Sequence, residues 1–135
     1  MRHSFFRYPL LFLSGAVLYP LIEVVFRGWT HVSMALLGGI CLLAIDLIDT
    51  LAGRLRKVWK GMLCAVVITQ LELICGLLVN RLWKLGVWDY SHLPFHLAGQ
   101  ICPLFSFFWF LLSLIALNLF ALERRIYGRK LFSSR

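Results

Sequence analysis

Acidic side chains are scarce in this sequence, with six Asp and Glu in 135 residues against 14 Lys and Arg. Charged residues of both signs make up only 15%, so once bilayer crossings are counted no stretch is left for a water-soluble domain. Cysteines number four. Cys41, Cys64, Cys75 and Cys102 all sit inside apolar runs without paired spacing, which indicates neither a disulfide framework nor a thiolate metal site. Nothing matches a glycine-rich nucleotide-binding loop. The net charge of +8 falls in short blocks between apolar runs, the pattern of topology signals rather than of nucleic-acid binding.

What the chain has in abundance is apolar surface. Hydrophobic residues reach 61%, against roughly 45–50% in a soluble domain, and the mean hydropathy is +0.83. A spanning helix takes about 20 residues, and four apolar runs have that length: 5–26, 32–51, 61–82 and 101–122. The expected fold is all-α, a polytopic membrane protein whose four transmembrane helices form one bundle and one domain over 1–135, with a re-entrant or capping outer loop. The start Met1-Arg2-His3 before an apolar run resembles a signal peptide. That run, however, contains Pro20, Glu23 and Arg27 and ends without a small-x-small cleavage site, so it is expected to stay as the first span.

Orientation follows from Lys and Arg. The amino terminus (Arg2, Arg7), the middle loop (Arg54, Arg56, Lys57, Lys60) and the tail (Arg124, Arg125, Arg129, Lys130, Arg135) carry eleven, and the other side carries three, Arg27, Arg81 and Lys84. Positive-inside places both termini in the cytoplasm of a cell-membrane protein. The polar, turn-rich segment 88–100 is then an extracytoplasmic loop at the outer mouth of the bundle. Trp29, Trp83 and Trp88 near that boundary, and Trp59 near the inner one, fit aromatic belts.

Polar groups inside the spans are few enough to weigh singly. Glu72 falls near the middle of the third run, where an unpaired charge costs about 2.5–3.5 kcal/mol. It must be neutral or matched, and Arg27, His31 and Arg81 are all open as partners. Glu72, Gly76 and Asn80 recur every four residues, which puts a carboxyl, a gap and an amide on one helical face. Glu23 and Arg27 are likewise four apart and form an ion pair at the end of the first span, with His31 following in the link Gly28-Trp29-Thr30-His31. Asp46 and Asp49 share a face at the end of the second span and are expected to pair with the nearby cations of 54–60.

Nine residues are therefore expected to line a ligand-binding cluster at the outer mouth: Glu23, Arg27, His31, Glu72, Asn80, Asp89, Tyr90, His96 and Gln100. His31, His92, His96, Asp89 and Glu72 are metal-ligand types, but Pro94 between His92 and His96 argues against one regular helix. No metal, cofactor or catalytic residue is assigned. Three readings stay open. The cluster is a solute or lipid site of a permease, a buried polar lock in a structural or regulatory subunit, or the site of an intramembrane enzyme acting on lipid headgroups, for which His31 and His96 are the residues to replace.

The pattern Glu72-x3-Gly76-x3-Asn80, then Trp88-Asp89-Tyr90-Ser91-x2-Pro94-Phe95-x-Leu97-x-Gly99-Gln100-Ile101-Cys102-x2-Phe105-Ser106-x2-Trp109, resembles the CmpB-like family of small type IV ABC-transporter membrane proteins. The first half fits more loosely, through Glu23 and Arg27-Gly28. The resemblance implies a permease-type protein in the lipid bilayer, with a separate ATPase subunit as its partner. His96 stands where that family usually has Asn and Gln100 where it often has Arg, which weakens any anion site inferred by analogy. Four helices enclose little space, so a homo-oligomer is expected, associating through Gly38-Gly39 or Gly76.

Overall fold

A computed structural model describes residues 2–133, with side chains over 5–128. The described residues form four helices. They are α1 (Arg2–Arg27), α2 (Val32–Leu51), α3 (Lys57–Gly76), which continues as a π-helical turn over Leu77–Leu82, and α4 (Pro103–Ser133). Each contains a segment long and apolar enough to cross a membrane, with mean hydropathies of 1.9 to 2.3, and no strand forms among the described residues. The protein is a multi-pass, all-α membrane protein.

The helices pack as two hairpins, α1 on α2 and α3 on α4, with α2 also meeting α3 and α4. In the spanning segment of α2 44% of residues are buried, against 11% in α1, so α2 is the central strut and α1 the peripheral helix. The core runs through Met34, Leu37, Ile45, Ile68, Leu117 and Phe120, while Leu13, Val17, Leu21 and Val25 of α1 point outward. An apolar exterior of this kind suits lipid, where no hydrophobic force would drive it inward.

Gly15 and Gly38 allow the closest approach in the bundle, because a Cβ on either would run into the other's carbonyl oxygen. A Cβ on Gly39 would meet the Phe12 ring at 2.6 Å. The Gly38-Gly39 pair, expected to offer a face to a second copy, is therefore occupied inside the chain, and Gly76 is occupied as well. Small residues here join the protein's own helices.

Local chemistry explains where the helices stop. Gly28 closes α1 in the left-handed region, at φ 80°, with its N–H on Val24 O at 2.8 Å. His31 opens α2 by accepting the Ser33 N–H on Nδ1 at 3.1 Å. The end of α3 departs from α geometry, and the Trp83 N–H reaches back to Leu78 O at 2.9 Å, the five-residue spacing of a π turn.

At the end of the bundle that carries the 52–56 loop, the carboxylates meet cations. Asp49 takes Lys60 Nζ on Oδ1 at 2.7 Å and Arg124 Nη1 on Oδ2 at 2.6 Å. Arg7 bridges Asp46 and Glu123, both at 2.6 Å. Of the local cations expected to pair with these aspartates only Lys60 does, and the others come from α1 and α4. α3 begins at Lys57 rather than 61, and α4 runs on through the expected tail, so Glu123 and Arg124 lie on a helix. The side chains of Arg2, Arg129, Lys130 and Arg135, which enter the orientation count, lie outside the described residues.

Candidate functional site

The opposite end is organised around Glu72, which is 1% exposed. Its two oxygens accept one hydrogen bond each. The Tyr90 hydroxyl donates to Oε1 at 3.0 Å, and the Trp109 indole N–H donates to Oε2 at 3.1 Å. None of the three cations expected as partners serves it. Arg27 Nε lies 2.5 Å from Glu23 Oε2, its Nη1 donates to Val87 O at 2.8 Å, and its guanidinium lies over the Trp29 ring at 4.6 Å. His31 caps α2. Arg81 Nη2 donates to Ala98 O at 3.0 Å. Among the described residues, Glu72 is matched by neutral donors alone.

Both donors are braced by ring stacking. Trp109 stacks on Tyr19 of α1 at 5.2 Å and 15°, and Tyr90 stacks on Phe105 of α4 at 4.5 Å and 6°. Two aromatic rings thus bond one carboxyl of α3, and a further ring from α1 and one from α4 back them. Burial, and then the adjacent Glu72, push the Tyr90 hydroxyl well above its ordinary pKa, so it remains a donor.

Asn80 and Gln100 form a second layer that holds the loop. Asn80 Oδ1 accepts the Val87 N–H at 2.7 Å and the Trp88 N–H at 3.3 Å, and its Nδ2 donates to Gln100 Oε1 at 2.7 Å. Gln100 Nε2 donates to Ala98 O at 3.0 Å, and Trp88 Nε1 donates to Gln100 O at 3.0 Å. Gly76 makes room for this layer, since a Cβ there would strike Gln100 Oε1 and approach Trp88 at 2.9 Å. Outside it lies an open cleft of about 340 Å³, lined by Asn80, Arg81, Trp88, Asp89, His96 and Gln100 among others. Asp89 Oδ1 accepts the Ser91 N–H at 2.9 Å, a bond that holds its carboxyl below the usual range. His96 Nδ1 accepts the Gly99 N–H at 3.1 Å.

The nine residues expected to form one cluster therefore separate. Asn80, Asp89, His96 and Gln100 line the cleft, Glu72 and Tyr90 lie in the aromatic chamber behind it, Glu23 and Arg27 pair at the end of α1, and His31 is a helix cap. Two members of the chamber carried no expected role. Trp109 lies within the family-like pattern, and a buried indole N–H needs an acceptor; Tyr19 carries no signal beyond its ring in an apolar run.

The loop itself is strained. Lys84, Phe95 and Ala98 adopt φ of 53°, 59° and 54°, each costing a non-glycine residue of order 1–3 kcal/mol. Phe95 is 89% exposed.

The family model described as "Putative ABC-transporter type IV" matches residues 10–127. The chain belongs to that family, and so to a class of transporter-like multi-pass membrane proteins. No curated protein and no solved structure matches it.

Proposed function

We propose that the chain is the permease-like component of a transporter, that it takes a small solute at the loop end, and that Glu72 is its central carboxyl. The observation that carries this reading is the bonding of Glu72. A buried carboxyl matched by a counterion is hard to release, whereas this one faces two neutral donors, one of them on a strained loop. A solute entering from the cleft replaces the Tyr90 hydroxyl on Oε1 when the loop lifts. The balance of Lys and Arg supports an extracytoplasmic loop end with both termini in the cytoplasm. Energy comes from a separate ATPase subunit, and the described chain works as one transmembrane domain.

The test is modification of Glu72 by a water-soluble carbodiimide with an amine nucleophile in lipid nanodiscs, read by mass spectrometry. Glu72 is expected to react, and Tyr90→Ala to raise its rate about tenfold, as loss of one hydrogen bond from the closed state implies. An inert Glu72 in both proteins would overturn the reading.

A second reading, a structural or regulatory subunit with a polar lock, has one observation of its own, that Asn80 pins the loop through both its Oδ1 and its Nδ2. Under it Glu72→Gln lowers stability and Glu72 stays unmodified. For the lipid-headgroup enzyme, His31 and His96 each already hold a backbone N–H on Nδ1.

A further inference from the structure

We infer that the ligand taken at Glu72 is a small protonated amine; the inference rests on the permease reading above. Charge balance comes first. Glu23 is paired with Arg27, Asn80 and Gln100 are neutral amides, and Arg81 is exposed, with Nη2 on Ala98 O. The buried group of this end that has no counterion among the described residues is Glu72. An anion at Glu72 would meet a carboxyl to which no cation is bonded, whereas a ligand with one positive charge makes the site neutral.

Hydrogen bonding narrows the class. Oε2 keeps the Trp109 N–H, because Trp109 belongs to α4 and is braced by Tyr19. Oε1 loses its donor when Tyr90 leaves, so the ligand must bring an N–H of its own. A primary or secondary ammonium does so; a quaternary ammonium does not. An alkali cation would find a single carboxylate in a ring of aromatic carbon, short of the oxygen shell such ions take.

The departing Tyr90 also uncovers the Phe105 face on which it was stacked at 4.5 Å. An ammonium bound to Oε1 beside that face gains a cation–π contact, which operates within about 6 Å of a ring centroid. The opening left behind is one ring thick, which sets a limit on size.

The experiment titrates the full chain in nanodiscs with ethylammonium, tetramethylammonium, sodium and acetate salts at matched ionic strength, following the thermal midpoint and tryptophan fluorescence. Ethylammonium is expected to raise the midpoint by about 4 °C near saturation, with tetramethylammonium at least about tenfold weaker and the other salts without effect. Glu72→Gln should abolish the response. Tyr90→Phe keeps the ring and the stack but removes the competing hydroxyl, so it should bind ethylammonium about 2–10-fold more tightly. A merely structural tyrosine would not produce that gain. Equal response to tetramethylammonium, no response to ethylammonium, or unchanged or weaker binding by Tyr90→Phe overturns the proposal. Carbodiimide modification separates the two failures. A Glu72 that reacts but ignores ethylammonium leaves the permease reading standing, and a Glu72 that never reacts removes both.

Discussion

The two ends of the bundle treat their most deeply buried carboxyl in opposite ways. At the end with the 52–56 loop, Asp46, Asp49 and Glu123 meet Arg7, Lys60 and Arg124 at 2.6–2.7 Å, and these contacts join all four helices. At the other end Glu23 keeps Arg27, but the more deeply buried Glu72 meets only a phenol and an indole, and amides hold the loop. A buried ion pair such as Asp49–Lys60 is costly to break, while a neutral hydrogen bond is worth about 0.5–1.5 kcal/mol net and is readily exchanged. The first end is therefore held more firmly than the second.

The strongest test of this contrast is Asp49→Ala. It leaves Lys60, whose side chain is 9% exposed, without its carboxylate, and should cost about 3–5 kcal/mol, read as a large fall in the thermal midpoint in detergent. Lys60→Met added to it should recover part of the loss. Next is Gly76→Ala, which drives a methyl into Gln100 and Trp88 at the second end and should cost about 1–3 kcal/mol. Limited proteolysis should show the 83–102 loop cleaved faster in this variant, while cleavage in 52–56 is unchanged. Faster cleavage at both ends would erase the contrast.

Trp109→Phe removes one neutral donor and should cost about 0.5–1.5 kcal/mol, with faster carbodiimide modification of Glu72 as the second readout. The smallest effect is at Asp89. Its folded pKa lies below the ordinary value because the charged form accepts the Ser91 N–H. The turn therefore gains stability above the usual carboxylate range and loses it as pH falls below about 4. Protection of the Ser91 N–H relative to its intrinsic exchange rate at each pH should fall on acidification in the wild type, and Asp89→Asn should not show that dependence.

The four-helix fold was legible because a bilayer demands long apolar runs and the chain has four. Glu72 was legible for the converse reason, as a carboxyl in the middle of such a run. Its partners were not. Tyr90 reaches it from a loop whose path depends on left-handed turns at Lys84 and Ala98, and Trp109 is one aromatic among many in α4. Spacing likewise favoured local cations for Asp46 and Asp49, but Arg7 lies 39 residues from Asp46 and Arg124 lies 75 from Asp49. Such pairings are set by how helices stack, which periodicity along one helix does not encode. The regular Glu72-Gly76-Asn80 face was also read as continuous α-helix, whereas the helix changes its winding after Gly76.

That change of winding gives α3 a screw thread at one end. A π turn contains one residue more than the α turn it replaces. Drawing that residue out rewinds the segment and rotates whatever lies beyond it by about 100°, the angle of a single helical step. Asn80, which grips the backbone of Val87 and Trp88, sits on this thread. The winding of this turn therefore sets which way Asn80 faces, and with it where the backbone of Val87 and Trp88 is held.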